Sequence, residues 1–293
     1  MKNILAVLLT IFMATTICIS FTACEEELPT SEEVIEKLVA AQYSIESYEI
    51  EMKMNMKMAM DVPDGDMPEG MFMDMDIEAD IAGAIDKSGE EMKVLIDMEM
   101  SAPDEDPINV NMEMYFVDGW IYMMMDMPMM SPQWMKSEMS YGEFLEEMGE
   151  IASVESQIEM LKTADIKIKG KEKVRGVNCY VVELTPDMKQ LWDMLMQQSQ
   201  ITGGEIPDIP VENINEMIRS YSVKYWIAED TYYLIKSEEE IDVEITPEAM
   251  GISGEEGSVK MGVTVSTLML NYNEPVSIVL PPEAEDAVEQ SMW

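Results

Sequence analysis

Histidine is absent from this 293-residue chain. That removes the commonest general base and the commonest metal ligand. It excludes Ser-His-Asp and Cys-His catalysis and every histidine-based zinc site. Basic residues are scarce: 18 Lys and Arg stand against 59 Asp and Glu, for a net charge of −41. Such a surface repels nucleic-acid phosphates and anionic lipid heads alike, so neither a nucleic-acid partner nor a polybasic membrane dock is expected. It does favour a soluble, self-repelling domain. Only three cysteines occur: Cys18, Cys24 and Cys179. No phosphate-cradling glycine loop and no nucleophile elbow is present. Carboxylates are so common that their pairing points to no glycosidase site. The expectation is a non-enzyme without cofactor.

Long apolar runs are also missing, with one exception at the amino terminus. Lys2 is the only charge before position 25, and an apolar stretch follows from Ile4 to Ile19. Phe21-Thr22-Ala23-Cys24 comes next, then Glu25-Glu26-Glu27. A basic start, an apolar centre and small residues before a cut are the layout of a secretory signal. The Cys placed directly after Thr-Ala resembles a lipobox, which implies cleavage before Cys24 and a lipid on its sulfur. The other readings are an ordinary cleaved signal or an uncleaved anchor, although the run falls somewhat short of the ~20 residues a span needs. We therefore expect a signal peptide over 1–23, a lipidated Cys24 with an acidic tether over 24–29, and one domain over 30–293. Cutting 23 residues from 293 leaves 270, and the loss of Lys2 leaves 17 basic residues against 59 acidic ones, a charge of −42. Cys18 leaves with the signal and Cys24 carries the lipid, so Cys179 has no intramolecular partner. It is read as a small core residue, with a reactive thiol as the lesser alternative.

Within the domain, Thr30 and Glu33 form a capping box, and Val34, Ile35, Leu38, Val39 and Ala41 have helical spacing, predicting a helix over about 31–43. Period-two alternation follows. Met52, Met54, Met56, Met58 and Met60 alternate with Lys53, Asn55 and Lys57, predicting a strand over about 45–60. After a turn at Val62-Pro63-Asp64-Gly65-Asp66, Met71, Met73, Met75, Ile77, Ala79 and Ile81 alternate with acids. Further strands are predicted at about 90–100, 108–117 and 120–126, with Asp118-Gly119 as a hairpin turn. Ser140 and Glu143 cap a helix through Met148, and a second helix is predicted at about 153–162. Strands at 164–173 and 177–185 meet at Arg175-Gly176. Thr185-Pro186 opens a helix bearing Leu191, Trp192, Leu195 and Met196, and 199–212 form a loop. Strands at 221–227, 232–245 and 259–272 follow, and a closing helix runs from Pro281-Pro282 to about 290. Short turns mean antiparallel pairing, and nine or ten such strands curl. The expected class is α+β, a curved antiparallel sheet with helices over its inner face.

Several local motifs punctuate these elements: Tyr48-Glu49-Ile50-Glu51-Met52; Asp118-Gly119-Trp120-Ile121-Tyr122 with Trp134-Met135-Lys136; and Val174-Arg175-Gly176-Val177 through Leu184. Tyr225-Trp226-Ile227 through Leu234, Asn271-Tyr272-Asn273-Glu274-Pro275-Val276 and Pro281-Pro282-Glu283-Ala284 complete the series. In these motifs and the order of its elements, the chain resembles the LolA/LppX/LprG superfamily of lipoprotein and lipid carriers over essentially all of 30–290. Ala228 and Ile235 depart from the family pattern, where Asp and Pro are usual. The resemblance implies a LolA-like half-barrel whose helices close a hydrophobic cavity for acyl chains. It also implies an extracytoplasmic, membrane-anchored protein whose partner is a lipid or an acylated protein. Members include chaperones, carriers and stress sensors, and fold does not decide between them.

Methionine is the conspicuous excess: 34 residues, 20 of them within 52–130. Three readings of this stripe stay open. It is core filling, or a pliable cavity lining suited to varied apolar partners, or a soft Cu(I) site. The expected cavity lining is Met52, Met54, Met56, Met58, Met73, Met75, Met98, Met112, Met114, Trp120, Tyr122 and Met124. The copper alternative would use Met123, Met125, Met127 and Met129. A ligand-free sensor or scaffold is the other function left standing. The acids Asp74, Asp76, Glu78 and Asp80 are read as a solvated outer face, with calcium as the alternative.

Overall fold

The structure is a computed structural model and describes residues 28–61, 74–103, 105–128, 131–147, 161, 163–187, 217–248 and 257–289. Outside these lie the signal segment with Cys24, the turn at 62–66, Met73, Met129, all but Leu161 of the helix expected at 153–162, and the helix and loop expected over 188–212.

Helix α1 spans Ser31–Gln42. The Thr30 side chain accepts the Glu33 amide hydrogen at 3.2 Å, satisfying one of the orphan donors of the first turn. Val34, Ile35 and Leu38 are its buried stripe. The sheet follows: β1 Ser47–Asp61, β2 Asp74–Asp86, β3 Glu91–Ser101, β4 Ile108–Val117, β5 Trp120–Asp126 and β6 Gln133–Glu138. Helix α2, Tyr141–Glu147, separates these from β7 Asp165–Val174, β8 Val177–Thr185, β9 Ile218–Ala228, β10 Leu234–Ile245 and β11 Ser258–Leu270. A 3-10 turn at Pro282–Asp286 leads into the short β12, Val288–Glu289.

The twelve strands among the described residues form one open, curved sheet in the order β12-β6-β5-β4-β3-β2-β1-β11-β10-β9-β8-β7. Every pairing is antiparallel except β12 on β6. The architecture is two meanders, β1–β6 and β7–β11, laid side by side where β1 pairs with β11 from Glu49–Leu270 to Asp61–Ser258. Two-residue turns drive both meanders. Asp118 and Gly119 (φ 54° and 76°) join β4 to β5, and Arg175 and Gly176 (φ 45° and 95°) join β7 to β8. Positive φ at both positions matches the right-handed twist of paired strands. At β2–β3 the Asp86 carboxylate accepts hydrogen bonds from the amides of Ser88 and Gly89 and from the Ser88 hydroxyl. These bonds hold its pKa below the ordinary value.

The count differs from the expected nine or ten strands because β6 and β12 were not foreseen. In β6, Gln133 and Ser137 fall on the same side as Met135, so the alternation that signals a strand is missing. The closing helix is a single 3-10 turn instead. Pro281 and Pro282 fix its start, and the chain then leaves to pair with β6.

Three clusters among the described residues hold the fold. Val34, Ile35 and Leu38 of α1 pack on Tyr180, Val182, Leu184, Val223 and Ile227. Phe144 of α2 packs on Met92, Phe116 and Ile121. On the other face of the sheet, Cys179, Val181, Trp226, Ala228 and Ile235 form a smaller cluster. No helix among the described residues is long and apolar enough to cross a membrane.

Candidate functional site

Residues directly opposed in an antiparallel pair point to the same face, so the registers define each face row by row. Met52 lies between Thr267 and Ile81, Met54 between Val265 and Ala79, Met56 between Val263 and Ile77, and Met58 between Met261 and Met75. The rows run on through Met98, Met112 and Met114: Ala79 opposes Met98, Ile81 opposes Ile96, and Ile96 opposes Met112. Gly83 opposes Val94, which opposes Met114. Met52, Met54, Met56, Met58, Met75, Met98, Met112 and Met114 therefore share one face, and all are half-buried. Both described helices pack on that face, α1 over β8 and β9 and α2 over β3 to β5.

Met123 and Met125 join the same face, Met123 between Met114 and Met135 and Met125 opposite Met112. Five thioethers thus meet across β4, β5 and β6. Met127 follows the end of β5 and is half-buried. Among the described residues, no group of three or more Asp, Glu or Cys side chains is arranged to hold a metal ion.

Trp120, Tyr122 and Met124 lie on the opposite face, apart from the eight methionines. Tyr122 opposes Tyr115, Trp120 opposes Val117, and Met124 opposes Glu113. There they adjoin Trp134, whose ring centroid is 5.9 Å from that of Tyr115. Lys136 sits over the Trp120 ring at 5.3 Å. The run Met123-Met124-Met125 crosses both faces, and strand parity alone separates its members.

That opposite face is polar over the centre of the sheet. One transverse row reads Asn109, Glu99, Glu78, Asn55, Thr264, Glu240, Ser222 across seven strands, and its neighbour reads Asn111, Asp97, Asp80, Lys53, Ser266, Glu238, Lys224. The two rows bound a groove of about 720 Å³. Lys53 pairs with Asp80 at 2.8 Å, and Asn55 donates to Glu78 at 3.2 Å. The acids expected to be solvated, Asp74, Asp76, Glu78 and Asp80, all point this way and are exposed.

Cys179 is fully buried, and burial pushes its thiol pKa up to about 11. A thiol so held is protonated and unreactive at neutral pH.

One residue of the apolar face escaped the sequence reading. Glu239 opposes Val223 on β9 and Val265 on β11, so its side chain lies on the methionine face. Among the residues that the registers place on this face of β1 to β6, β10 and β11, it alone carries a charge. Burial raises its pKa. Parity within Glu238-Glu239-Glu240 was the available signal, hidden by three identical residues in a row.

A family model described as a family of unknown function, DUF6612, matches residues 30–289. No curated protein matches the chain significantly. Among solved structures, the lipoprotein LppX of Mycobacterium tuberculosis is similar at a TM-score of 0.37 and 13% identity, covering 85% of this chain and 98% of that one. LprF from Mycobacterium bovis is similar at 0.39 and 12% identity, covering 86% and 96%. A DUF1329 family protein from Desulfovibrio piger is similar at 0.23 and 13% identity, covering 85% and 96%. Overlap at this level carries no ligand or partner across to this chain.

Proposed function

The chain belongs to the DUF6612 family of unknown function, and from that premise we propose that it is an extracytoplasmic lipoprotein that sequesters the acyl chains of a lipid or lipidated protein. The observation that carries this reading is the half-buried methionine face, continuous from β11 across β1, β2, β3 and β4 to β5. Methionine is unbranched, with a polarizable sulfur and three rotatable bonds, so such a surface repacks around chains of different length and unsaturation. Each methylene moved from water onto it contributes about 0.8 kcal/mol. Ten would supply about 8 kcal/mol before the cost of ordering the ligand is subtracted. Anchoring through Cys24, after removal of residues 1–23, would hold this face close to its source of lipid.

Native mass spectrometry of the purified protein, followed by denaturation and analysis of what is released, tests the proposal. A stoichiometric acyl species is the expected result. A clean apo mass, unchanged after incubation with membrane lipids, would contradict it.

A further inference from the structure

A single charge on an apolar face eight strands wide is an expensive feature. Glu239 is half-buried, and an ionised carboxylate so placed loses part of the hydration that a partner restores. Glu239 has no hydrogen bond or ion pair among the described residues, and the side chains directly opposite it are Val223 and Val265. Ser237 lies two residues along the same strand on this face, with Thr267 opposite it. Tyr221 and Tyr225 flank Val223 on the same face, opposite Ile241 and Ser237. Both phenols have raised pKa values, first by burial and then by the Glu239 charge, Tyr221 to about 12. The registers thus place the Glu239 carboxyl on one patch of the face with two tyrosines, Ser237 and Thr267, a polar notch in the methionine surface. No cation of β9, β10 or β11 shares it. Lys224 and Lys236 stand on the opposite face, where both sit over the Trp226 ring, at 5.6 Å and 4.5 Å.

We infer that Glu239 is the headgroup-recognising residue of the apolar face, accepting a hydrogen bond from a lipid whose head carries a donor, an ammonium or a hydroxyl. This rests on the acyl-binding reading. With the chains on the methionine rows, an ammonium N–H or a hydroxyl O–H at the notch would donate to a Glu239 carboxylate oxygen. The Tyr221 and Tyr225 hydroxyls stand by to donate or accept. A carboxylate head at the same place would meet like charge and no cation. The notch thus discriminates by chemistry where the methionines discriminate only by apolarity, because a buried polar group left without its partner costs more than an apolar mismatch.

The test uses three probes with one acyl chain and different heads: oleylamine, monoolein and oleic acid. The full chain is purified in mild detergent, delipidated and mixed with all three in equal amounts at neutral pH. Native mass spectrometry then reads the adduct ratios. The expected result is oleylamine and monoolein adducts exceeding oleic acid by about tenfold, the worth of one charge-assisted hydrogen bond. Glu239→Gln keeps the shape and should bring the oleylamine to oleic acid ratio down by about the same factor. Glu240→Gln, one residue along and on the opposite face, should leave the ratio as it is. Equal ratios in the native protein and Glu239→Gln, or a native preference for oleic acid, would overturn the role of Glu239 while leaving acyl binding intact. The absence of all three adducts would overturn acyl binding itself.

Discussion

At the scale of the residue, Glu239 has a consequence for stability that is separate from any ligand. Burial raises its folded pKa above the unfolded value. The folded state therefore holds its proton more tightly, and stability falls as pH rises through the ordinary glutamate range near ~4.3 and on towards the folded pKa. Glu239→Gln should melt at a higher temperature than the native protein at neutral pH, and the gap should close as pH drops below that range. Thermal melts across pH 3 to 8 check this, and a melting difference that does not vary with pH would contradict it. The groups facing Glu239 are Tyr221 and Tyr225, whose raised pKa values keep them neutral throughout that window. Single residues were unevenly legible in the sequence. Met52 through Met58 declare their face by strict alternation with Lys53, Asn55 and Lys57. Trp120, Tyr122 and Met124 attracted attention as large apolar side chains, yet parity puts them across the sheet from Met123 and Met125. Residue type suggested one lining, and register distributes its members over two faces.

At the scale of the element, α1 is the best-defined cover over the sheet. Thr30 caps it, the Lys37–Glu33 pair at 2.7 Å spans one turn of its exposed side, and Leu38 is 3% exposed against the β8–β9 cluster. An exposed pair of this kind contributes little, so packing supplies the hold. Leu38→Ala should cost about 3 kcal/mol in urea unfolding, whereas Lys37→Ala should cost less than about 1 kcal/mol. Equal effects from both would mean that α1 is not seated as described. Caps and turns were legible because their chemistry is local: Thr30 with Glu33, Asp118-Gly119, and Arg175-Gly176 each satisfy neighbouring backbone. The short β6 and β12 were not. Pairing creates them, β12 through Val288–Met135 and Glu289–Lys136, and no local pattern in either segment announces it. The closing Pro281-Pro282 reads as a helix start, but the turn it opens ends after five residues, where pairing with β6 takes over.

At the scale of the molecule, the antiparallel class was readable because two-residue turns at Asp118-Gly119 and Arg175-Gly176 join alternating strands. The join between the two meanders was not, since it brings β1 beside β11 across about two hundred residues. That join matters most for the proposed function. Without it, the methionine rows of β1 would end at an open edge. With it, they continue through Thr267, Val265, Val263 and Met261 to the notch at Glu239. Over its centre the sheet thereby separates two surfaces of opposite character: thioethers and aliphatics on the side that bears α1 and α2, and carboxylates, amides and hydroxyls on the other. Photo-crosslinking with a fatty-acyl probe carrying a diazirine midway along its chain, followed by peptide mapping, tests the central claim directly. Labels on the side chains of Met52, Met54, Met56, Met98 or Met112 are the result predicted. Labels confined to the opposite face, around Trp120, Tyr122 and Trp134 or along the polar groove, would contradict it.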